Sequence, residues 1–170
     1  IEDCLAWCFE YIHQWKASMR PIVLLKLDFT KAFDTIEHDL ILRILQCKGF
    51  DSQWTGWINT ILSTGSSSVL LNGVSGKHFV CRTGMHQGDP LSLLLFVIAV
   101  DLLQSVVNEM CSRSTLSLPI PTNSNDYPIV QYADDTLIVL PAIDEQLIAF
   151  KEMLATFVES TSLRVNFSKS

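Results

Sequence analysis

Two adjacent acidic residues, Asp134 and Asp135, stand between two short apolar runs that are typical of β-strands. A third acid, Asp28, ends another apolar, β-prone run. Adjacent acids at a tight hairpin, such as Asp134 and Asp135, repel each other, and loss of hydration strengthens that repulsion. A divalent metal ion relieves it, and Mg²⁺ prefers such hard oxygen ligands. The residues alone leave a second interpretation open, a solvated turn, in which Asp is common.

The order of patterned segments predicts an α+β fold, in which an antiparallel sheet is backed by helices. Asp34 and Glu37 resemble a helix cap, Gly49 is a helix stop, and Asn72-Gly73 predicts a tight hairpin turn. The expected helices are 1–19, 34–49, 51–62, 91–110 and 144–160. The expected strands are 22–28, 67–71, 77–82, 129–132, 136–140 and a short one at 163–167.

The composition limits the class of protein. A chain of 170 residues has room for one ordinary domain, and 48% hydrophobic residues exclude a disordered chain. Charged residues are 18%, below the roughly 25% that is usual, so either the fold is very compact or part of its exterior packs against protein that is not in this chain. The net charge of −6 speaks against a free-standing nucleic-acid binder.

Membrane and redox signals are weak. The longest apolar run, 93–100, is short of the roughly 20 residues of a membrane helix, so no membrane span is expected. Cys4, Cys8 and His13 lack a second ligand pair at zinc-site spacing, so zinc is disfavoured. Five cysteines in a chain of this size indicate reduced thiols and an intracellular location.

Three motifs occur in a telling order: DFTKAFD at 28–34, QGDPLS at 87–92 and YADD at 132–135. The set resembles the reverse transcriptases of non-LTR (LINE-type) retrotransposons, notably plant elements, and the likeness extends over nearly the whole chain. The resemblance implies a polymerase palm with a partial fingers segment. It implies that 1–170 is a single partial domain of a longer polyprotein, without thumb or endonuclease.

The resemblance also implies a reaction, the two-metal transfer of a dNTP to a primer 3′-OH. Asp28 and Asp134 would be the principal metal ligands, Asp135 would help to shape the site, and the carbonyl of Phe29 would be a further ligand. The cofactor would be two Mg²⁺ ions, with Mn²⁺ as a substitute, which activate the 3′-OH and stabilise the leaving pyrophosphate. The implied partners are an RNA template, a DNA primer, dNTP and the missing fingers and thumb, with no membrane, in the nucleus or the cytoplasm.

Four more residues receive roles from the resemblance, and each has a plain structural alternative. Phe33 would exclude a 2′-hydroxyl from the sugar site, or it is a core aromatic. Gln87 and Gly88 would contact the templating pair and the nucleotide, or they belong to an ordinary loop before a helix. Lys169 would neutralise or protonate pyrophosphate, or it is simply solvated.

The chain departs from the family pattern at two positions, where His86 and Leu93 replace the usual Arg and Pro. An imidazole cannot replace the bidentate charge of a guanidinium, which weakens a template or phosphate contact. The resemblance also implies fingers and thumb segments that bind the nucleic-acid backbone and are not in this chain, so we expect weak or no polymerisation by this chain alone. The alternative is a non-catalytic relic or scaffold, like the palm in the spliceosome's central protein. A palm-fold cyclase is disfavoured, and His38 near Asp34 is not expected to form a catalytic dyad.

Overall fold

The computed structural model describes residues 2–86, 88–120, 126–132 and 135–166. The chain forms two compact units. The sheet unit combines Ile1–Thr30 with Val100–Ser170, and the helical unit is Lys31–Ala99. This division does not test the expectation of one partial domain over 1–170, which stays a prediction.

The helices and strands follow the predicted order. The helices are α1 (Glu2–Ser18), α2 (Ala32–Thr35), α3 (His38–Cys47), α4 (Ser52–Thr64), α5 (Pro90–Ser112) and α6 (Asp144–Thr161). The strands are β1 (Ile22–Asp28), β2 (Ser66–Ser67), β3 (Leu70–Leu71), β4 (Val74–Ser75), β5 (Phe79–Val80), β6 (Ile129–Tyr132) and β7 (Asp135–Pro141). The prediction of an antiparallel sheet with helices is confirmed.

The sheet unit is built on a three-stranded antiparallel sheet in the order β1-β7-β6. The register of β1 against β7 runs from Ile22 opposite Pro141 to Asp28 opposite Asp135. Beyond β1, Phe29 forms an isolated antiparallel bridge with Val165. The short strand expected at 163–167 is therefore present only as this bridge, and 167 lies outside the described residues.

Val139 is buried on one face of that sheet, in a cluster with Tyr11 and Ile120, and most of the other buried side chains of β1 and β7 lie on the second face. Because side chains alternate along a strand, Leu27, Thr136 and Ile138 share this second face, and all three are buried. Helix α6 packs against β7. Burying a Leu or Ile side chain contributes roughly 1.5–3 kcal/mol, so this face fixes the register of β1 and β7. The opposite face carries the alternate residues, Lys26, Asp28 and Asp135 among them.

The helical unit packs α3 against α4. The buried side chains of these two helices are Leu40, Ile41, Ile44, Leu45, Thr55 and Ile58. Asp51, expected as the first residue of this helix, is its N-cap, because its side chain accepts a 2.8 Å hydrogen bond from the Trp54 N–H. The Asn72-Gly73 turn also forms, with both residues at positive φ, 49° and 79°. The predicted pairing of 67–71 with 77–82 is wrong in detail, because β3 pairs with β4 across the turn and β5 pairs with β2, each strand being two residues long.

The predicted helix from Asp34 to Gly49 is wrong at its start. Helix α2 ends at Thr35, and α3 begins at His38, with Glu37 as an N-cap that makes no side-chain capping bond. Ile36 is fully buried and extended, and its carbonyl accepts a 2.8 Å bond from the N–H of Gly84. A contact between segments distant in sequence therefore replaces the local cap.

Helix α5, Pro90–Ser112, extends beyond the apolar run 93–100 at both ends. By length and composition it is apolar enough to cross a membrane, although a helix of a water-soluble core meets the same criterion. Asp101 lies inside this helix and does not end it. Leu95, Phe96, Leu103 and Val107 of α5 are fully buried within the protein. The expectation of no membrane span stays a prediction.

Candidate functional site

Asp28 and Asp135 face each other across β1 and β7. The Asp28 carbonyl accepts a 2.8 Å bond from the N–H of Asn166 on the other side of β1, so it points away from β7. The aspartates are therefore a non-hydrogen-bonded pair, the arrangement in which opposed side chains approach most closely. Their side chains lie on the same face of the sheet. Two like charges opposed in this way destabilise the sheet unless a cation lies close to them.

Lys26 supplies positive charge beside this pair. It lies two residues before Asp28, on the same face, and its Nζ is 2.9 Å from Oδ1 of Asp135. The side chains are 57% and 58% exposed, so the pair contributes at most about 1 kcal/mol to stability. Sequence reasoning did not single out Lys26. The available signal was a lone charge, at strand spacing from Asp28, in an otherwise apolar run.

The backbone carbonyl of Phe29 points toward the β7 side of the chain, as the hydrogen bonds around it show. The flanking bonds of the Phe29–Val165 bridge run from Asn166 N–H to the Asp28 carbonyl and from Thr30 N–H to the Arg164 carbonyl, both 2.8 Å. Successive carbonyls of a strand point to opposite sides, so the carbonyl of Phe29 is directed to the β7 side. The Phe29 ring is buried, which fixes this part of the backbone.

These donors suit a hard divalent cation. Mg²⁺ binds one or two carboxylates and completes its shell with water and phosphate oxygens, and two carboxylates with a nearby carbonyl meet that need. Asp134, the other expected principal ligand, lies outside the described residues. Among the residues that the structure does describe, no three His, Cys, Asp or Glu side chains form a group that could hold a metal ion. The assignment of Asp28, Phe29, Asp134 and Asp135 therefore stays a prediction.

Phe33 lies in α2 of the helical unit. Its ring stacks on Phe96 with 4.1 Å between ring centroids and 23° between planes. Phe96 is fully buried and Phe33 is half-buried, so the stack anchors a ring that keeps part of its surface open. Both earlier interpretations, a packing role and a role at the sugar, are compatible with this position.

A tight backbone contact supports the segment around Phe33. The N–H groups of Gly84 and Met85 donate to the carbonyls of Ile36 and Phe33, at 2.8 and 2.6 Å. His38 Nε2 donates to the Gly84 carbonyl at 2.8 Å. His38 thus has a structural partner, and the expectation that it forms no catalytic dyad stays a prediction. The sequence analysis missed Gly84, whose signal was a glycine just before the QGDPLS motif.

The described residues of the QGDPLS motif, 88–92, lead into α5, which begins at Pro90. The Asp89 carboxylate accepts hydrogen bonds from the Ser92 hydroxyl at 2.9 Å and the Ser92 N–H at 3.1 Å. These bonds, the hydroxyl's first, lower the pKa of Asp89 below its ordinary value. Pro90 is the first residue of the helix, where its missing N–H costs nothing. Asp89 and Pro90 therefore have the structural role of a helix start.

Gly88 has a different environment. Its φ is +92°, a conformation that favours glycine, and no atom lies within 4 Å of the position that a Cβ would occupy. The glycine is exposed, so an approaching ligand meets bare backbone there. Gln87 and Lys169 lie outside the described residues, and their roles stay predictions.

The cysteines are all unpaired, at positions 4, 8, 47, 81 and 111. Burial, and then the nearby Cys4, raises the pKa of the Cys8 thiol. Both thiols, with Lys26 and Asp135, line a small cavity of about 320 Å³ beside the sheet. Free thiols are what the sequence predicts for an intracellular protein, although location itself is untested.

Residues 3–170 match the family model described as "Reverse transcriptase (RNA-dependent DNA polymerase)". The chain belongs to the reverse transcriptase family. The match covers nearly every residue and includes all three motifs at 28–34, 87–92 and 132–135. Members of this family generally use divalent metal ions. The family predicted from the motifs is confirmed.

Similar reverse transcriptase sequences come from non-LTR retrotransposons. The chain is 31% identical to a Pol polyprotein of retrotransposable element R2 from Popillia japonica, over 94% of this chain and 22% of that protein. It is 26% identical to an uncharacterised 149 kDa protein of transposon TX1 from Xenopus laevis, over 95% of this chain and 12% of that protein. The chain thus spans about a fifth or less of these relatives' length.

Solved telomerases share the fold. Telomerase from Candida albicans, in complex with a fragment of telomeric RNA, has a TM-score of 0.67 at 15% identity, over 94% of this chain and 30% of that one. Apo telomerase from Candida tropicalis has a TM-score of 0.69 at 12% identity, over 99% and 31%. The predicted α+β fold of a polymerase palm is confirmed.

Proposed function

We propose that this reverse transcriptase chain is the palm of an RNA-directed DNA polymerase from a non-LTR retrotransposon. The reaction is transfer of a deoxynucleotide from dNTP to the 3′-OH of a primer on an RNA template. The observation that carries the proposal is the direct opposition of Asp28 and Asp135 on one sheet face, where β1 ends and β7 begins at the last residue of the YADD motif. Opposed carboxylates are costly to a fold, so their pairing here favours a cation-binding role over a packing role.

The residues proposed to hold two Mg²⁺ ions are Asp28, Asp134, Asp135 and the carbonyl of Phe29. When bound, the ions supply Lewis-acid stabilisation of charge on the attacking and leaving oxygens. The chain's own contribution is to fix the carboxylates. The register of β1 and β7 is set by the buried face behind them, so Asp28 and Asp135 are positioned before substrate arrives.

Nucleotide selection is assigned to the helical unit. The Phe33 ring, held by its stack on Phe96, would exclude a ribose 2′-hydroxyl by steric contact. The exposed backbone at Gly88 would admit the nucleotide and templating base close to the chain, together with Gln87. Lys169 would neutralise the charge of pyrophosphate or give it a proton.

The remaining parts of the proposal concern context. The net charge of −6 implies that the phosphates of template and primer are gripped by fingers and thumb in the rest of a longer polyprotein. On this proposal 1–170 is one partial domain, without a membrane span, that works in the nucleus or the cytoplasm. The finer assignment to plant elements rests on the residue patterns at 25–50 and 87–104 alone.

Primer extension tests the proposal. The purified chain is given an RNA template, a DNA primer and dNTP with Mg²⁺ or Mn²⁺. We expect weak extension that falls by about a hundredfold or more in Asp28→Asn, because a metal ligand is lost. Glu159→Gln, which removes an exposed carboxylate on α6, should leave extension unchanged. Circular dichroism checks that each variant is folded.

The same experiment separates the polymerase from its alternative. Extension that survives in Asp28→Asn contradicts the assignment of the carboxylates. A folded chain that extends no primer with either metal ion would favour the non-catalytic relic or scaffold. Efficient, processive extension would contradict the expectation that this chain alone is poorly active.

A further inference from the structure

We propose that Lys26 is a positioning residue for the carboxylate pair. It would hold Asp135 by an ion pair while the site lacks a cation, and it would release Asp135 when a divalent cation binds. This inference rests on the proposed function, because it assumes that Asp28 and Asp135 are cation ligands. It concerns a residue to which neither the motifs nor the proposed function assigns a role.

Geometry is the first step of the argument. Lys26 stands opposite Leu137 in the register, and Asp135 stands opposite Asp28, so the ion pair is a diagonal across β1 and β7. Diagonal neighbours on one face are within reach of a long side chain. The Nζ–Oδ1 distance of 2.9 Å shows that the ammonium is in hydrogen-bond contact with the carboxylate.

Charge is the second step. Without a cation, Asp28 and Asp135 repel each other across the sheet, and the ammonium of Lys26 offsets that repulsion. With a divalent cation bound at the same carboxylates, the ammonium would be a like charge a few ångströms away. Lys26 therefore competes with the cation for Asp135, and its presence weakens cation binding.

Exposure is the third step, because the Lys26 ammonium must be able to leave Asp135 when a cation binds. The Lys26 and Asp135 side chains are 57% and 58% exposed, so water screens their ion pair and little stability is lost when it breaks. The lysine has a flexible four-carbon stem and can direct its ammonium into water while the strand stays in place. A buried or bidentate partner would hold Asp135 too firmly for this exchange.

Cation binding gives the decisive measurement. Mn²⁺ is titrated into the full chain and followed by electron paramagnetic resonance or water proton relaxation, without nucleotide. Lys26→Met should tighten Mn²⁺ binding by about three- to tenfold, because a like charge has been removed near the site. Lys26→Arg keeps the charge and should bind Mn²⁺ as the original chain does. Lys151→Met, an exposed lysine on α6, is the matched control and should change nothing.

A second measurement, thermal unfolding in the presence of a chelator, tests the ion pair of Lys26 with Asp135 in the absence of metal ions. Lys26→Met should lower the Tm by about 1–3 °C, because the carboxylate repulsion is no longer offset. The same change in an Asp135→Asn background should lower the Tm by clearly less, because the carboxylate that Lys26 pairs with is gone. Equal losses of Tm in both backgrounds would overturn the role of Lys26 as counter-ion to Asp135.

The outcomes separate this inference from the proposed function. If the original chain binds Mn²⁺ and Lys26→Met binds it equally well, the inference fails while the metal site stands. If neither the original chain nor Lys26→Met binds Mn²⁺, the metal site fails, and the release of Asp135 fails with it. Tighter binding in Lys26→Met, with none of that gain in Lys26→Arg, supports the inference.

Discussion

Replacement of Gly84 by Ala would disrupt the contact between the segment before α5 and the segment that follows α2. Gly84 has a φ of +78°, and an added Cβ would lie 2.7 Å from the Asp34 carbonyl oxygen and 3.0 Å from the carbonyl carbon and Cα of the same residue. These are backbone atoms, so no side-chain rotation relieves the clash. The substitution combines a strained backbone conformation with overpacking against a neighbouring segment.

The expected loss of unfolding free energy in Gly84→Ala has two causes. A non-glycine residue in the left-handed region costs about 1 kcal/mol. Relieving the overlap adds about 1–3 kcal/mol, because the hydrogen bonds of Gly84 to Ile36 and His38 must lengthen with it. The total is about 2–4 kcal/mol. The control is Gly73→Ala, in the same unit at a φ of +79° with nothing within 4 Å, which should lose only the first part.

Urea denaturation followed by tryptophan fluorescence measures both variants, since Trp54 and Trp57 lie in the same helical unit. The difference between Gly84→Ala and Gly73→Ala isolates the steric part of the loss. Equal losses in the two variants would refute the reasoning, because they would show that the approach of Gly84 to Asp34 imposes no steric constraint.

Three further changes have separate outcomes. Hydrogen bonds to the ionised Asp89 carboxylate lower its pKa below the ordinary 3.8, so they stabilise the fold above pH 3.8. This stabilisation is lost as the pH falls through the lowered pKa of the folded state. Asp89→Asn keeps a side-chain cap that does not titrate, so its Tm should depend less on pH below 3.8. Phe33→Val should raise ribonucleotide incorporation relative to deoxynucleotide at least about tenfold in primer extension. The buried Thr136 hydroxyl has no partner among the described residues, so Thr136→Val should leave the Tm equal or higher.

The sheet unit was predictable because its signals are local. Strand β1 was expected over 22–28, as found, since an apolar β-prone run ends at an acid and follows a proline that stops α1. The YADD hairpin was expected because two β-prone runs are separated by a short connection. In each case, residues close in sequence carry the information.

The departures have a different origin, contacts between residues far apart in sequence. Ile36 interrupts the predicted helix because its carbonyl pairs with Gly84, 48 residues later, a partner that no local pattern indicates. The ion pair of Lys26 with Asp135 depends on the register of β1 and β7, which the sequence does not specify residue by residue. Motif matching identifies candidate site residues that lie within one segment, and it misses contacts between two segments that hold those residues in place.

The DFTKAFD motif shows how far a single segment can depend on separate supports, because the boundary of the two units falls between Thr30 and Lys31. Asp28 is held by sheet register and by the hydrogen bond from Asn166, whereas Phe33 is held by its stack on Phe96. Between them Lys31 has a φ of +47°, which costs a non-glycine residue about 1 kcal/mol. Such strain persists only where the surrounding structure determines it.

Two hydrogen bonds hold Lys31 in this conformation. The N–H groups of Asp34 and Thr35 donate to the Lys31 carbonyl, at 2.8 and 3.1 Å. They close the first turn of α2 directly after the strand that carries Asp28. The chain therefore changes from strand to helix within the motif, which places the Asp28 carboxylate, the proposed cation ligand, on a sheet and the Phe33 ring on a helix only five residues apart in sequence. The spacing of the motif follows from this change of secondary structure, since one more or one fewer residue would turn Phe33 by about 100° around α2 and away from Phe96.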